Sequence, residues 1–432
     1  MVTDAAARRT FGRAVAATSG INVVVTATSA LTGLLLARVL GPETRGEYAA
    51  VMAWFGMALV LGELGQSAAI TYFVAHDADR ARAYVATSRT MMIATGLVTA
   101  AVGALLAPTL AQGNHDLTVG YYIAFVTCAS AFVGAIYLSA LQARHLTRWN
   151  IARVLQPIGF LVCTLVIITW DRLSLHAVLL SLAAMVTATA VISYALSART
   201  GLTRGRTDRR VTRPLVRYGL SQLAATSPLA VNSRLDQLVL SQTVAAAQLG
   251  RYAVAVTFTT LALPVVAAVG YVAFPRLANS TLSPDRAARL VRLAAVGSGA
   301  VALAIVVPLA LSAGWLVPWM FGPGYRDAVP LIWILAPGGV FLAVNAVLGD
   351  LLRGRNRPLT VAWAQGAGAV VTVAGLALLL PPFGVYGAAA ASTTAYTVTC
   401  AWMVWALRRH NPAPGTAEAP RDDAAPTRNP EP

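Results

Sequence analysis

The chain has 432 residues, 57% of them hydrophobic and only 12% charged, with a mean hydropathy of +0.65. That composition excludes an ordinary soluble globule and points to an integral membrane protein. The net charge of +16 is not a nucleic-acid footprint: the 33 basic residues, all arginine, gather in short segments between apolar runs, the distribution that the positive-inside rule produces.

Apolar runs of about 20 residues are long enough to cross about 30 Å of hydrocarbon. They fall at 18–40, 47–75, 88–110, 119–141, 151–169, 175–196, 216–242, 251–275, 290–312, 328–352, 359–380 and 385–407. The expectation is an all-α membrane protein of twelve transmembrane helices. Residues 1–17 precede the first run as a cytoplasmic N-terminal segment. Their RRTFGR (8–13) has the look of a twin-arginine export signal, but the apolar stretch behind it is too long for a signal core and many spans follow, so a basic anchor of a first span is predicted.

Arginine placement sets the expected orientation. One side holds Arg8, Arg9 and Arg13, then Arg80, Arg82 and Arg89, then Arg144, Arg148 and Arg153. The same side takes the cluster from Arg199 to Arg217, then Arg276 to Arg292 and Arg353 to Arg357. Only Arg38, Arg45, Arg172, Arg251 and Arg326 fall on the other. This asymmetry puts both termini in the cytoplasm, in an inner (plasma) membrane. The tail 408–432, rich in Pro, Ala and charge, is expected to be disordered.

The basic loop 197–215 divides the chain into an N-terminal six-helix lobe, 18–196, and a C-terminal one, 216–407. A shift of 204 residues aligns Gly46-Glu47-Tyr48-Ala49 with Gly250-Arg251-Tyr252-Ala253, each at the start of an even-numbered span. Ala58/Ala262, Leu59/Leu263 and Ala69/Ala273 also match. With matching span orientations, this suggests a parallel repeat about an axis along the membrane normal.

The seventh span draws attention because Gln222, Asn232, Ser233, Arg234, Asp236, Gln237 and Ser241 interrupt an apolar run. Charges at such depth cost at least about 2.5–3.5 kcal/mol each and normally face a protein interior or a water-filled cavity. On one helix, Gln222, Thr226, Ser233, Gln237 and Ser241 form a stripe that Pro228 can bend. Arg234 and Asp236 lie on opposite edges of it and are not expected to neutralise each other; either pairs with a neighbouring helix or faces a cavity. Glu63, flanked by Gly62 and Gly65, is similarly deep in the second span. It either pairs with an inward arginine or senses a proton or sodium ion.

No enzyme motif is present: there is no GxSxG elbow, P-loop, HExxH or paired carboxylates within one loop. No cofactor or metal site is expected. Cys128, Cys163 and Cys400 all fall within spans and read as packing residues. No loop on the less basic side is long enough to hold a catalytic domain.

The pieces LARVLGPETRGEYAAV (36–51), LGELGQSAAITYFVA (61–75), NSRLDQLVLSQTVAAAQLGRYAVA (232–255), AFPRLA (273–278) and FGPGYRDAVPLIWIL (321–335) resemble the Wzx-type polysaccharide flippases. That family is a branch of the multidrug/oligosaccharidyl-lipid/polysaccharide exporter superfamily. The resemblance runs from about residue 15 to 407 and rests on the order and spacing of individually loose motifs. It implies two six-helix lobes with pseudo-two-fold symmetry around a V-shaped central cavity, and alternating access of a lipid-linked sugar between leaflets. The implied partners are a polyprenyl-pyrophosphate-linked oligosaccharide, membrane lipids and other polysaccharide-assembly proteins.

In such proteins the first, second, seventh and eighth spans line the cavity. Carried onto this chain, the resemblance makes Arg234 the expected phosphate contact. Arg38, Arg45 and Arg251, near the outer span ends, either receive the phosphates or snorkel to lipid headgroups. Asn22 is a candidate for sugar hydroxyls or for an adjacent helix, as is Asn345 in the tenth span, where helix bonding is preferred. Asp236 matches the acidic residue common in the family's seventh span, to hold an arginine or bind a cation. Two other classes compete: an ion-coupled multidrug antiporter of the same superfamily, using Glu63 and Asp236, and a membrane glycosyl polymerase or ligase, which ordinarily has a long outer loop.

Overall fold

The computed structural model describes residues 2–278, 283–355 and 357–409. Among them the secondary structure is entirely helical: α1 (Val2–Gly62), α2 (Gln66–His76), α3 (Ala81–Leu110), α4 (His115–Arg144), α5 (Leu146–Thr169), α6 (Leu175–Ala198), α7 (Arg209–Asn232), α8 (Leu235–Thr243), α9 (Ala246–Thr259), α10 (Leu263–Ala278), α11 (Pro284–Phe321), α12 (Ala328–Gly354) and α13 (Pro358–Arg409), with a single 3-10 turn at Pro323–Tyr325. The tail expected to be disordered lies, beyond Arg409, outside the described residues.

Eight of the helices are long and apolar enough to cross a membrane, or nine if the bent pair Ala246–Thr259 and Leu263–Gly270 counts as one. Two of the eight run on for 43 and 52 residues, about twice what a bilayer needs. Each is broken by a glycine in a conformation closed to most side chains, Gly41 at φ 74° and Gly384 at φ 56°. α1 and α13 are therefore two crossings each, and the polar pair α7–α8 supplies another. The chain is a twelve-span protein whose odd and even spans alternate in direction.

One end of the bundle carries the chain turns at 77–80, 145 and 199–208 and most of the arginines; it is termed the basic end. The opposite end carries the turns at Gly41, 111–114, 170–174, 244–245, 322–327 and Gly384. Three spans depart from the continuous helices expected. The second breaks at Glu63–Gly65, where Leu64 and Gly65 have φ of 52° and 66°; the seventh breaks at Ser233–Arg234, and the eighth at 260–262.

Three apolar cores explain how the halves sit together. One is centred on Met92, Tyr121, Phe132 and Tyr137 of the first half and takes in Val211 and Leu215 of α7. Another lies in α10–α13, around Val347, Leu348 and Met403. The third joins Ala37, Ala49 and Ala50 of α1 to Leu249, Tyr252, Phe258, Tyr325 and Ile332 of the second half. The halves are thus welded at the end opposite the basic one.

The weld explains the repeated Gly-X-Tyr-Ala. A Cβ on Gly46 would stand 2.5 Å from the Ala246 carbonyl carbon and 2.9 Å from the Gly250 nitrogen. A Cβ on Gly250 would stand 2.9 Å from the Pro42 carbonyl carbon and 3.0 Å from the Gly46 nitrogen. Pro42 and Ala246 are themselves related by the 204-residue shift, so the two contacts are one contact seen twice about a pseudo-two-fold axis. Only glycine lets the two backbones cross this closely.

Candidate functional site: a polar cleft between the halves

Towards the basic end the halves diverge, and among the described residues α7 is the element that bridges them. Its first turns lie on α2 and α3, where Gln66 Nε2 donates to the Leu215 carbonyl at 3.5 Å and the Asp208 amide donates to Thr87 Oγ1 at 3.0 Å. Its last turn lies on α13, where Thr372 Oγ1 donates to Asn232 Oδ1 at 2.8 Å. Between these anchors Arg213, Arg217, Ser221, Ala225, Leu229 and Ser233 form an i, i+4 row in which every member is exposed. The row winds along α7 from the basic end to Arg234.

Arg234 sits at the break between α7 and α8 because the helix cannot continue there. The Ser233 amide bonds to the Leu229 carbonyl and the Arg234 amide to that of Val231, a tightened last turn. α8 then takes nine residues to reach the welded end, about 14 Å, which sets Arg234 near the middle of a hydrocarbon layer about 30 Å thick. The half-buried guanidinium lies on Gly56 of α1: a Cβ there would stand 2.6 Å from Cζ and 3.1 Å from Nε. Among the described residues nothing hydrogen-bonds or ion-pairs with it. It is an unneutralised cation at the closed end of the cleft.

Asp236 is its neighbour in sequence and is not its partner. One carboxylate oxygen accepts from Tyr252 Oη of α9 at 2.5 Å and Ser392 Oγ of α13 at 3.0 Å. The other accepts from the Gln237 amide at 2.7 Å. Only 3% exposed, this carboxylate knots three helices together, as a buried charge must be tied to donors.

Above Arg234 the cleft is sealed in layers. Trp54 Nε1 donates to Ser241 Oγ at 3.1 Å, Gln112 Nε2 to the Gln242 carbonyl at 2.8 Å, and Gln242 Nε2 to the Leu110 carbonyl at 3.2 Å. Arg38 Nη1 donates to the Trp319 and Met320 carbonyls at 2.9 and 3.3 Å, capping the C-terminus of α11 across the interface. Arg251 pairs with Asp327 at 3.1 Å and reaches the Gly324 carbonyl at 3.3 Å. Arg45 lies 5.2 Å from the Tyr48 ring centroid with a buried Nε that no described residue bonds. These three arginines stand in or beside the seal, away from Arg234.

The remaining candidates have local partners. Glu63 Oε1 accepts from the Ser67 amide at 3.0 Å, capping α2 after the break, and no described arginine pairs with it. Asn22 Oδ1 accepts from Arg153 of α5, and Asn150 Nδ2 donates to Thr18 Oγ1 at 3.0 Å beside it. Asn345 Nδ2 donates to the Tyr396 carbonyl at 3.0 Å, a helix-to-helix bond.

Sequence reading missed other parts of the cleft. A cavity of about 560 Å³ opens at the basic end of the α7 row, lined by Phe73, Arg213, Arg217, Tyr218 and Ser221. The Tyr72 and Tyr218 rings stack there at 4.6 Å. Arg213 and Arg217 had read only as orientation charges; their four-residue spacing with Ser221 was the available signal. Gly56 carried no signal, since its importance arises from a contact about 180 residues away in sequence.

A twelve-span bundle of two related halves, joined at one end and parted by a polar cleft at the other, defines the transporter fold of the multidrug/oligosaccharidyl-lipid/polysaccharide exporters. Residues 11–281 match the family described as "Polysaccharide biosynthesis protein", and the chain belongs to that family. The fold is similar to that of the lipid II flippase MurJ in an inward closed conformation, with a TM-score of 0.76 at 11% identity over 90% of this chain and 87% of that one. It is also similar to an inward-facing multidrug resistance MATE family transporter, with a TM-score of 0.71 at 14% identity over 89% and 96% of the two chains. An uncharacterized membrane protein of Methanocaldococcus jannaschii is 32% identical over 111 residues, a stretch covering 25% of this chain and 22% of the archaeal protein.

Proposed function

We propose that the chain flips a polyprenyl-pyrophosphate-linked oligosaccharide, the repeat unit of a polysaccharide, from the inner to the outer leaflet by alternating access. The observation that carries this reading is Arg234, an unpaired cation at mid-membrane depth at the head of a polar cleft. A diphosphate headgroup supplies the missing counter-charge through charge-assisted hydrogen bonds. The glycan, which cannot cross hydrocarbon unaided, occupies the cleft below, along the exposed α7 row. Arg213 and Arg217 meet the phosphates at the mouth, and the Tyr72–Tyr218 stack offers a face to a sugar ring.

On this reading the basic end is cytoplasmic, the membrane is the plasma membrane, and the structure represents an inward-facing state. Opening outward breaks the Trp54–Ser241 and Gln112–Gln242 layers and frees Arg38 and Arg251 to receive the phosphates. An inside-negative potential helps: two negative charges moving outward at about 150 mV release about 7 kcal/mol. Ion-coupled drug antiport fits less well, because Asp236 is held by three donors and Glu63 caps a helix, so neither is displayed to the cleft as a cation site. Other polysaccharide-assembly proteins are the expected partners for delivery and polymerisation.

The test is reconstitution into proteoliposomes with a fluorescent polyprenyl-pyrophosphate oligosaccharide, alongside a cationic drug under an ion gradient. Protein-dependent movement of the lipid-linked sugar supports the reading. Drug movement against the gradient with no lipid flipping overturns it in favour of antiport.

A further inference from the structure

A cavity of about 910 Å³ shares no lining residue with the cleft. It lies at the basic end of the second half, in a groove between α11, α12 and the last crossing of α13. Its floor is α12, through Val344 and Leu348. The face of α12 that packs on the eighth span is a different one: Gly339 lies against the Thr259 carbonyl of α9, and Asp350 against Gly270 of α10. Leu348 is nine residues from Gly339, about half a turn out of phase at about 3.6 residues per turn. The groove therefore lies on the side of α12 opposite the eighth span, and Val296 on its wall is exposed.

Its chemistry is divided along the membrane normal. Arg289, Arg292, Arg355 and Arg408 ring the basic-end rim, while Ala295, Val296, Val344 and Val404 form apolar walls running into the span. Among the described residues no carboxylate pairs with any of the four; the nearby Asp350 is held by Arg353 at 2.9 Å. Burial, with Arg357 adding repulsion, holds the half-buried Arg355 guanidinium below its usual pKa, as befits a cation short of a counter-charge. A cationic rim above an apolar groove matches one kind of molecule, a phosphate headgroup continuous with acyl chains.

We infer that this groove is a binding site for an anionic diacyl phospholipid of the membrane, separate from the transport cleft. The headgroup phosphate seats among the four arginines and an acyl chain lies along the walls between α11 and α13. The occupant is a lipid rather than a free anion because, the four arginines apart, every residue lining the cavity is apolar. Its place at the hub of the second half makes the lipid a brace for that half.

Native mass spectrometry of the purified full chain tests this, with phosphatidylglycerol and phosphatidylcholine supplied in equal amounts. The wild type is expected to retain the anionic lipid selectively, and Arg292→Gln/Arg355→Gln to lower that retention about tenfold. Arg204→Gln/Arg206→Gln, which removes the same charge from the exposed linker, is expected to leave it unchanged. Ala295→Trp, which fills the groove and keeps all four arginines, is expected to abolish it. Equal retention of phosphatidylcholine, equal loss in the linker variant, undiminished retention in Ala295→Trp, or full displacement by excess inorganic phosphate would each overturn the assignment.

Discussion

Gly46→Ala is the most informative single change at the weld. The added Cβ would stand 2.5 Å from the Ala246 carbonyl carbon and 2.9 Å from the Gly250 nitrogen, against an ordinary separation of about 3.5 Å. The Ala246 carbonyl oxygen is closer still and all three obstacles are backbone, so no side chain can swing aside, and α1 and α9 must part by more than about 1 Å. Overpacking of this kind costs about 1–3 kcal/mol. That cost falls only on states in which the two helices cross closely. At about 1.4 kcal/mol per factor of ten, the sealed arrangement loses about five- to 150-fold in population relative to an arrangement open at this end. Spin labels at Thr109→Cys and Thr243→Cys, both exposed beside the Gln112–Gln242 bond, report the separation directly in a background lacking Cys128, Cys163 and Cys400. The expected result is a new long-distance population in Gly46→Ala, and in Gly250→Ala by symmetry. A distance distribution identical to wild type, in a variant with an unchanged Tm, would refute the reasoning.

Four further outcomes are expected. Gly56→Ala, whose Cβ would stand 2.6 Å from Arg234 Cζ, displaces the guanidinium and slows flipping nearly as much as Arg234→Ala, with expression and Tm retained; wild-type flipping in this variant removes Arg234 from the pathway. Tyr252→Phe leaves Asp236 short of its 2.5 Å donor and lowers stability by about 1–3 kcal/mol, read as a fall in detergent Tm, whereas Asp236→Asn in the same assay separates the need for the charge from the need for the bonds. Glu63→Gln keeps an acceptor for the Ser67 amide and transports normally, while Glu63→Ala loses about 1 kcal/mol of capping; a transport-dead, fully stable Glu63→Gln would make the charge functional instead. Arg251→Ala and Asp327→Ala, singly and together, change stability by less than about 1 kcal/mol in a double-mutant cycle, since Asp327 is 65% exposed.

The span count was legible because bilayer thickness imposes a length on every crossing, and the repeat of Gly-X-Tyr-Ala was legible because the two halves share one crossing contact. The breaks were not. Gly65 is an ordinary residue of a membrane helix until its positive φ is seen, and the Ser233–Arg234 break carries no proline or glycine at all. It follows from how α7 is held at both ends by different halves. That break also revises the polar stripe: Gln222 and Thr226 belong to one helix, Gln237 and Ser241 to another.

The separateness of Arg234 and Asp236 was readable from their two-residue spacing. Their surroundings were not, because Gly56, Tyr252 and Ser392 come from distant stretches of the chain. Arg38 and Arg251 were readable as interfacial cations, but sequence offered no sign that they would bond backbone and carboxylate groups of the 319–327 turn.

The most direct test of the account is the initial rate of flipping of the polyprenyl-pyrophosphate oligosaccharide by wild type and Arg234→Gln at equal protein density in proteoliposomes. Loss of a charge-assisted contact worth about 1.5–3 kcal/mol predicts a rate lower by about 10- to 100-fold, with the variant folded and correctly inserted. Equal rates in the two proteins would contradict the claim that the cleft works by presenting this cation to the diphosphate.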